Sequence, residues 1–206
     1  GKGPRRKLIS PPTYEVGAQK IFEGYLEHSK DEWTMVYLTS KIVLIGDESV
    51  GKTSVVKRYV DDEFTESYLP TLGFQIFIKS VRLGSNSVDF QIWDIAGQAE
   101  FESVRRSYFQ ASQGFFLVFD LTVRSSFDNV DKWLAEIREV RPTVPFILVA
   151  NKADLPDQVV TDEEIQEKAE ALGAAGQIKT SAKTGENVVD AFNNLAEILV
   201  EKDSQR

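Results

Sequence analysis

Cysteine is absent from this 206-residue chain, and histidine and methionine occur once each. Without a thiol there is no disulfide, no thiolate metal site, no cysteine nucleophile and, within this chain, no residue to carry a prenyl or palmitoyl group. His28 has no second histidine or cysteine beside it, which argues against a metal role. No apolar run approaches the length of a membrane span, and nothing resembles a secretory signal. Basic charge is in deficit as well. The net charge is −8, whereas a general nucleic-acid binder needs a basic footprint. The expectation is a cytoplasmic monomer without nucleic acid or a covalent membrane anchor, peripheral to membranes only through a partner. What is present suits one α/β domain: 42% hydrophobic and 27% charged residues, in a chain long enough for a sizeable core and some further sequence.

The run Gly46-Asp47-Glu48-Ser49-Val50-Gly51-Lys52-Thr53 fits the phosphate-loop pattern GxxxxGK[ST]. An apolar run, Lys41 to Ile45, reads as a buried strand before it. Val55, Val56, Tyr59 and Val60 then recur on one helical face after it. Strand, glycine loop and helix together aim backbone N–H groups and a helix N-terminus at phosphate oxygens. Glu48, Ser49, Val50, Gly51, Lys52, Thr53 and Ser54 are therefore nucleotide-binding candidates. Gly51 allows close backbone approach, Lys52 offers a cation to the outer phosphates, and the Thr53 hydroxyl can ligate magnesium.

Strands and helices alternate beyond the loop. Phe74 to Leu83 and Val88 to Ile95 are strand-like and joined by Gly84-Ser85-Asn86, a plausible hairpin. Gly114 to Asp120 and Pro145 to Ala150 are continuous apolar runs, as in strands buried on both faces. Phe127, Val130, Leu134 and Ile137 recur at helical spacing, as do Val188, Phe192, Leu195 and Leu199. The pattern predicts an α/β fold with a mostly parallel sheet covered on both sides.

Three further motifs fall at strand ends. In Trp93-Asp94-Ile95-Ala96-Gly97-Gln98, Asp94 can hold magnesium through a water and the Gly97 N–H can reach a terminal phosphate. In Asn151-Lys152-Ala153-Asp154, the Asp154 carboxylate can accept two hydrogen bonds from guanine N1–H and its exocyclic amine; adenine presents no such pair. In Ser181-Ala182-Lys183, a backbone N–H can meet guanine O6 while the Lys183 stem packs along the base. Either of the last two motifs alone reads equally well as a structural turn. Their occurrence together, in this order, points to a guanine nucleotide.

With KIVLIGDESVGKTS, YLPTLGF, WDIAGQAEF, FDLT, NKAD and SAK, the chain resembles the Ras-like small GTPases, and the Rab branch most closely in wording. The resemblance spans roughly Val36 to Lys202. It implies a six-stranded P-loop GTPase sheet with helices on both faces, binding GTP and GDP with magnesium. It also implies protein partners: effectors, an exchange factor and a GTPase-activating protein. Carried over by motif, Phe64 stacks against the guanine edge and Tyr68 covers the phosphates. Thr71 ligates magnesium, Lys152 braces the phosphate loop, and Gln98 orients the attacking water. Gln98, Lys52 and Thr71 form the implied catalytic set, and Thr53, Thr71 and Asp94 the metal set. Catalysis of this kind is mainly positioning and charge stabilisation. The domain is expected over 35–203, with an N-terminal extension at 1–34 and a tail at 204–206.

Four departures from the family pattern matter. Glu48 and Ser49 replace small residues, and a carboxylate near the γ-phosphate is unfavourable and expected to slow hydrolysis unless it turns outward or pairs with a cation. Ile76 stands with Trp93 and Tyr108 where Rab-like proteins often carry an aromatic triad, read as either a partner face or core packing. Ala99-Glu100 alters the charge order after Gln98. No cysteine ends the chain, as a trimmed sequence would also look. The extension is basic at its start (Lys2, Arg5, Arg6, Lys7) and has an apolar face in Ile21, Phe22, Tyr25 and Leu26. It is read as a docking segment, a partner peptide or a disordered leader. The commitment is a GTP-hydrolysing switch, with a GTP-binding scaffold of negligible hydrolysis as the alternative; NKAD disfavours an ATP-using kinase.

Overall fold

The computed structural model describes residues 36–65, 71, 73–97 and 102–205. The expected extension over 1–34 lies outside the described residues. The elements run β1 (Tyr37–Ile45), α1 (Lys52–Asp61), β2 (Phe74–Leu83), β3 (Asn86–Ile95), α2 (Glu102–Phe109) and β4 (Gly114–Asp120). They continue with α3 (Arg124–Asp128), α4 (Val130–Val140), β5 (Phe146–Asn151), α5 (Asp162–Leu172), β6 (Gly176–Lys179) and α6 (Val188–Ser204). The six strands form one sheet in the order β2-β3-β1-β4-β5-β6. Only β2 is antiparallel, pairing Phe74 with Ile95 through to Leu83 with Asn86. The other five run parallel, so their C-terminal ends open at one edge.

β1 starts earlier than its apolar run because its first residues alternate: Leu38 and Ser40 are buried, Tyr37 and Thr39 exposed. Period-two burial is as good a strand signal as a continuous run. Gly84, at φ 60, supports the tight reversal into β3. The expected helix around Phe127 to Ile137 is divided at Asn129 into α3 and α4. Asn129 stays near helical geometry (φ −74, ψ −7) and its carbonyl accepts from Trp133 N–H, so the two run nearly end to end. α6 continues through Ser204, one residue past the expected boundary at 203.

Alternation along the strands makes two cores. Ile42, Leu44, Phe116 and Val118 face α1 and α6, packing with Val55, Val56, Tyr59, Phe192 and Leu195. Val43, Ile45, Phe115, Leu117 and Phe119 face the other way, against Trp133, Leu134 and Ile137 of α4. All seven residues of β4 are buried, as a central parallel strand requires. Phe192 is a hub: it stacks on Tyr59 at 3.7 Å between centroids and meets Phe116 edge-on at 4.9 Å. Phe192→Ala should lower the unfolding free energy by about 3–5 kcal/mol, read by urea denaturation; a loss below about 1 kcal/mol would contradict the packing described.

Candidate functional site

Loops from the C-terminal edge of the sheet enclose a cavity of about 430 Å³. Glu48, Ser49, Gly51, Lys52, Thr53 and Ser54 line it from the phosphate loop and the start of α1. Phe64, Thr71 and Gly97 line it from the next segments, and Asn151, Lys152, Asp154, Ala182 and Lys183 complete it. Three expected residues act from behind the wall. Val50 is buried in the core and contributes through its carbonyl, Asp94 is fully buried beneath Thr53, and Ser181 supports Asp154. Tyr68 and Gln98 lie outside the described residues.

Gly51 precedes α1 with φ 96 and no side chain caps the helix, so the N–H groups of its first turn are not satisfied by a capping side chain. No acidic residue occupies that first turn. Such an end attracts anions. A Cβ on Gly51 would stand 2.3 Å from Asn151 Nδ2, and one on Gly97 would stand 2.5 Å from the Gly46 carbonyl oxygen. Gly51 leaves room for the Asn151 amide, and Gly97 lets its segment meet the phosphate loop backbone to backbone. Lys52 Nζ donates to the carbonyls of Gly46 at 2.9 Å and Asp47 at 2.6 Å. Burial pulls its ammonium down to about 8, opposed by the Asp94 and Asp47 carboxylates. A nearby anionic ligand would favour the charged form.

Thr53 Oγ1 donates to Asp94 Oδ2 at 2.5 Å and lies 2.7 Å from Thr71 Oγ1. Asp94 Oδ1 is buried without a hydrogen-bond partner. Burial raises the Asp94 carboxyl, with the Thr53 hydroxyl and Lys52 opposing. Two hydroxyls and one under-satisfied carboxylate are the few oxygen donors that suit magnesium, which keeps waters and phosphate oxygens as its other ligands. Among the described residues no group of three or more His, Cys, Asp or Glu could hold a metal, so no all-protein cage competes with this set.

Asn151, the last residue of β5, joins the two ends of the cavity. Its Nδ2 donates to Val50 O at 2.9 Å, and its Oδ1 accepts from Thr180 Oγ1 at 3.2 Å and Ala182 N at 3.3 Å. Ser181 Oγ donates to Asp154 Oδ1 at 2.6 Å, holding that carboxylate on the cavity wall. Lys152 differs from expectation. Its backbone is left-handed (φ 66) and its ammonium pairs with buried Asp120 at 2.6 Å, so the phosphate loop is braced by Asn151 instead. Arg58, which sequence reading passed over, donates to the carbonyls of Ala182 and Lys183 at 2.9 and 2.8 Å. Its place on α1 one turn beyond Ser54 was the available signal. Lys57, Glu63, Thr65 and Leu155 also line the cavity without a motif to mark them, as does Ala96 from within the Trp93 to Gln98 motif.

On the flank, Ile76 is 48% exposed, which excludes it from the core. Phe74 takes the aromatic place, stacking on Trp93 at 5.2 Å and meeting Tyr108 at 4.7 Å, while Lys41 Nζ sits 3.7 Å over the Trp93 ring.

Asn151→Ala should leave the Val50 carbonyl and Ala182 N–H without their partner, at about 1–3 kcal/mol per buried group. Chemical denaturation without added nucleotide checks this. An unchanged midpoint would contradict the staple.

Two comparisons with known proteins agree on the family. A family model described as the Ras family matches residues 41–201. The "GTP-binding protein YPT1" of Saccharomyces cerevisiae is 38% identical over 167 residues, covering 81% of each chain. The match takes in the phosphate loop, the Asp94 segment and both loops around Asn151. The chain therefore belongs to the Ras family and is a small GTPase.

Proposed function

We propose that this small GTPase is a switch whose GTP-bound form recruits effector proteins and whose slow hydrolysis of GTP ends the signal, in a Rab-like, trafficking-type role. The observation that carries this reading is the apposition made by Asn151. One side chain ties the phosphate loop, through Val50, to the Ser181-Ala182-Lys183 loop beside Asp154. Phosphates and base can thus be read in one cavity.

In this reading the α1 N-terminus and Lys52 receive the phosphates, and the Gly97 N–H meets the terminal one. Asp154 accepts from guanine N1–H and the exocyclic amine, the Ala182 segment meets O6, and the Lys183 stem and Phe64 flank the base. Thr53, Thr71 and Asp94 are the residues that would hold magnesium, which when bound neutralises charge on the β- and γ-phosphates. Gln98 orients the attacking water, Tyr68 covers the phosphates, and Lys152 acts through Asp120 to fix the loop that presents Asp154. An exchange factor and a GTPase-activating protein complete the cycle.

Glu48 favours a second reading. It is exposed and lines the phosphate end of the cavity. A carboxylate there opposes charge developing on the transferred phosphoryl group and obstructs an arginine finger, whose contribution elsewhere is about 10³–10⁵ in rate. Hydrolysis would then be negligible and the protein a GTP-binding scaffold.

Single-turnover GTP hydrolysis with magnesium separates the two. The switch predicts turnover that falls in Gln98→Leu. Tight GTP binding without turnover in either protein would overturn it, and recovery of turnover in Glu48→Gly would then assign the block to that carboxylate.

A further inference from the structure

The phosphate loop contains a second carboxylate, and it does not line the cavity. Both Asp47 oxygens are held by N–H donors from the α4 side: Asn129 Nδ2 reaches Oδ2 at 2.8 Å, and Trp133 Nε1 reaches Oδ1 at 2.7 Å. Asn129, Trp133 and Glu136 fall four and then three residues apart, so they form one stripe of the helix.

Glu136, the far end of that stripe, is buried and accepts from Arg105 on α2. Nε reaches Oε2 at 3.1 Å and Nη2 reaches Oε1 at 3.3 Å. Arg105 is only 1% exposed, and its guanidinium lies 4.5 Å from the centre of the Trp133 ring. Its Nη1 also approaches the carbonyl of Ala96 at 3.5 Å. Ala96 precedes Gly97, whose missing side chain lets that segment press on the Gly46 and Asp47 backbone. The contacts close a ring from the phosphate loop through α4, Arg105 and the end of β3 back to the loop.

A buried ion pair adds little net stability over apolar side chains of the same size. It does impose geometry, because a shift of either partner breaks two hydrogen bonds between buried charged groups. Asp47 sits where that geometry matters most. Its carbonyl, with that of Gly46, holds Lys52 Nζ. Fixing the Asp47 side chain from α4 therefore fixes the cation that faces the phosphates.

We propose that Trp133 and Asn129 are positioning residues for the phosphate-binding cation, acting through Asp47, and that the Arg105–Glu136 pair binds α2 into the same unit. Displacing α2 then loosens the grip on the nucleotide's β-phosphate. This rests on nucleotide binding at the loop, so GDP retention by the unmodified chain, measured first, tests that reading by itself.

The relay is tested by release of a fluorescent GDP analogue, GMP affinity and melting temperature. The variants are Trp133→Phe, the pair Arg105→Met with Glu136→Met, and their combination. Trp133→Phe keeps the ring and removes only the N–H. It should speed GDP release by about tenfold, as expected for losing one hydrogen bond to a charged group. GMP, which does not reach the β-phosphate cradle, should keep its affinity within about twofold. The paired apolar variant should release GDP faster at an unchanged melting temperature, since both members of the buried pair are replaced together by apolar side chains. The combination should fall short of the product of the two separate effects. Unchanged GDP release in Trp133→Phe would overturn the proposal. So would equal weakening of GMP and GDP, or effects that simply multiply.

Discussion

The cavity depends on the amide of Asn151. Three loops from different parts of the sheet have no reason of their own to stay in register, and each carries backbone groups that must be satisfied once buried. A single side chain at the end of β5 bonds to the carbonyl of Val50, the hydroxyl of Thr180 and the N–H of Ala182. It can do so only because Gly51 leaves room for it. The parallel sheet supplies the shared edge, and Asn151 converts that edge into one site.

The charges then fall into complementary places. Lys52 is buried on loop carbonyls with its ammonium pulled down, and Asp94 is buried with one oxygen unsatisfied and its carboxyl raised. Burial disfavours the charged form of each group, at the two positions where an anionic nucleotide and a divalent cation would favour it. Electrostatics of this kind is preorganisation: the protein meets the desolvation cost on folding, and the ligand completes the set.

Much of this was legible in the sequence, for identifiable reasons. β4 and β5 are buried on both faces, so their apolar runs could not be mistaken. The phosphate loop announced itself because its glycines and lysine are fixed by backbone approach and not by packing. Other features were hidden from pattern reading. α2 buries an arginine, Arg105, where periodicity looks for an apolar residue. α5 carried a readable start, the Thr161–Glu164 capping box, but only Ile165 and Ala169 are buried along it. Spacing could not say which of two neighbours faces the phosphate loop. The left-handed backbone of Lys152 turns its side chain to Asp120 and leaves the bracing to Asn151. Likewise Ile76 pairs directly with Trp93 across the strands, yet the diagonal neighbour Phe74 provides the stacked ring. Alternation put both on one face, and ring geometry chose between them.

The central claim is that one stapled cavity reads base and phosphates together. The most direct test is competitive equilibrium binding of GDP and ADP to the purified chain with magnesium. Two lost hydrogen bonds to the Asp154 carboxylate predict that GDP binds at least about a hundredfold more tightly than ADP. Equal affinities would contradict the account, since the phosphate loop would then be acting without the base site that Asn151 holds against it.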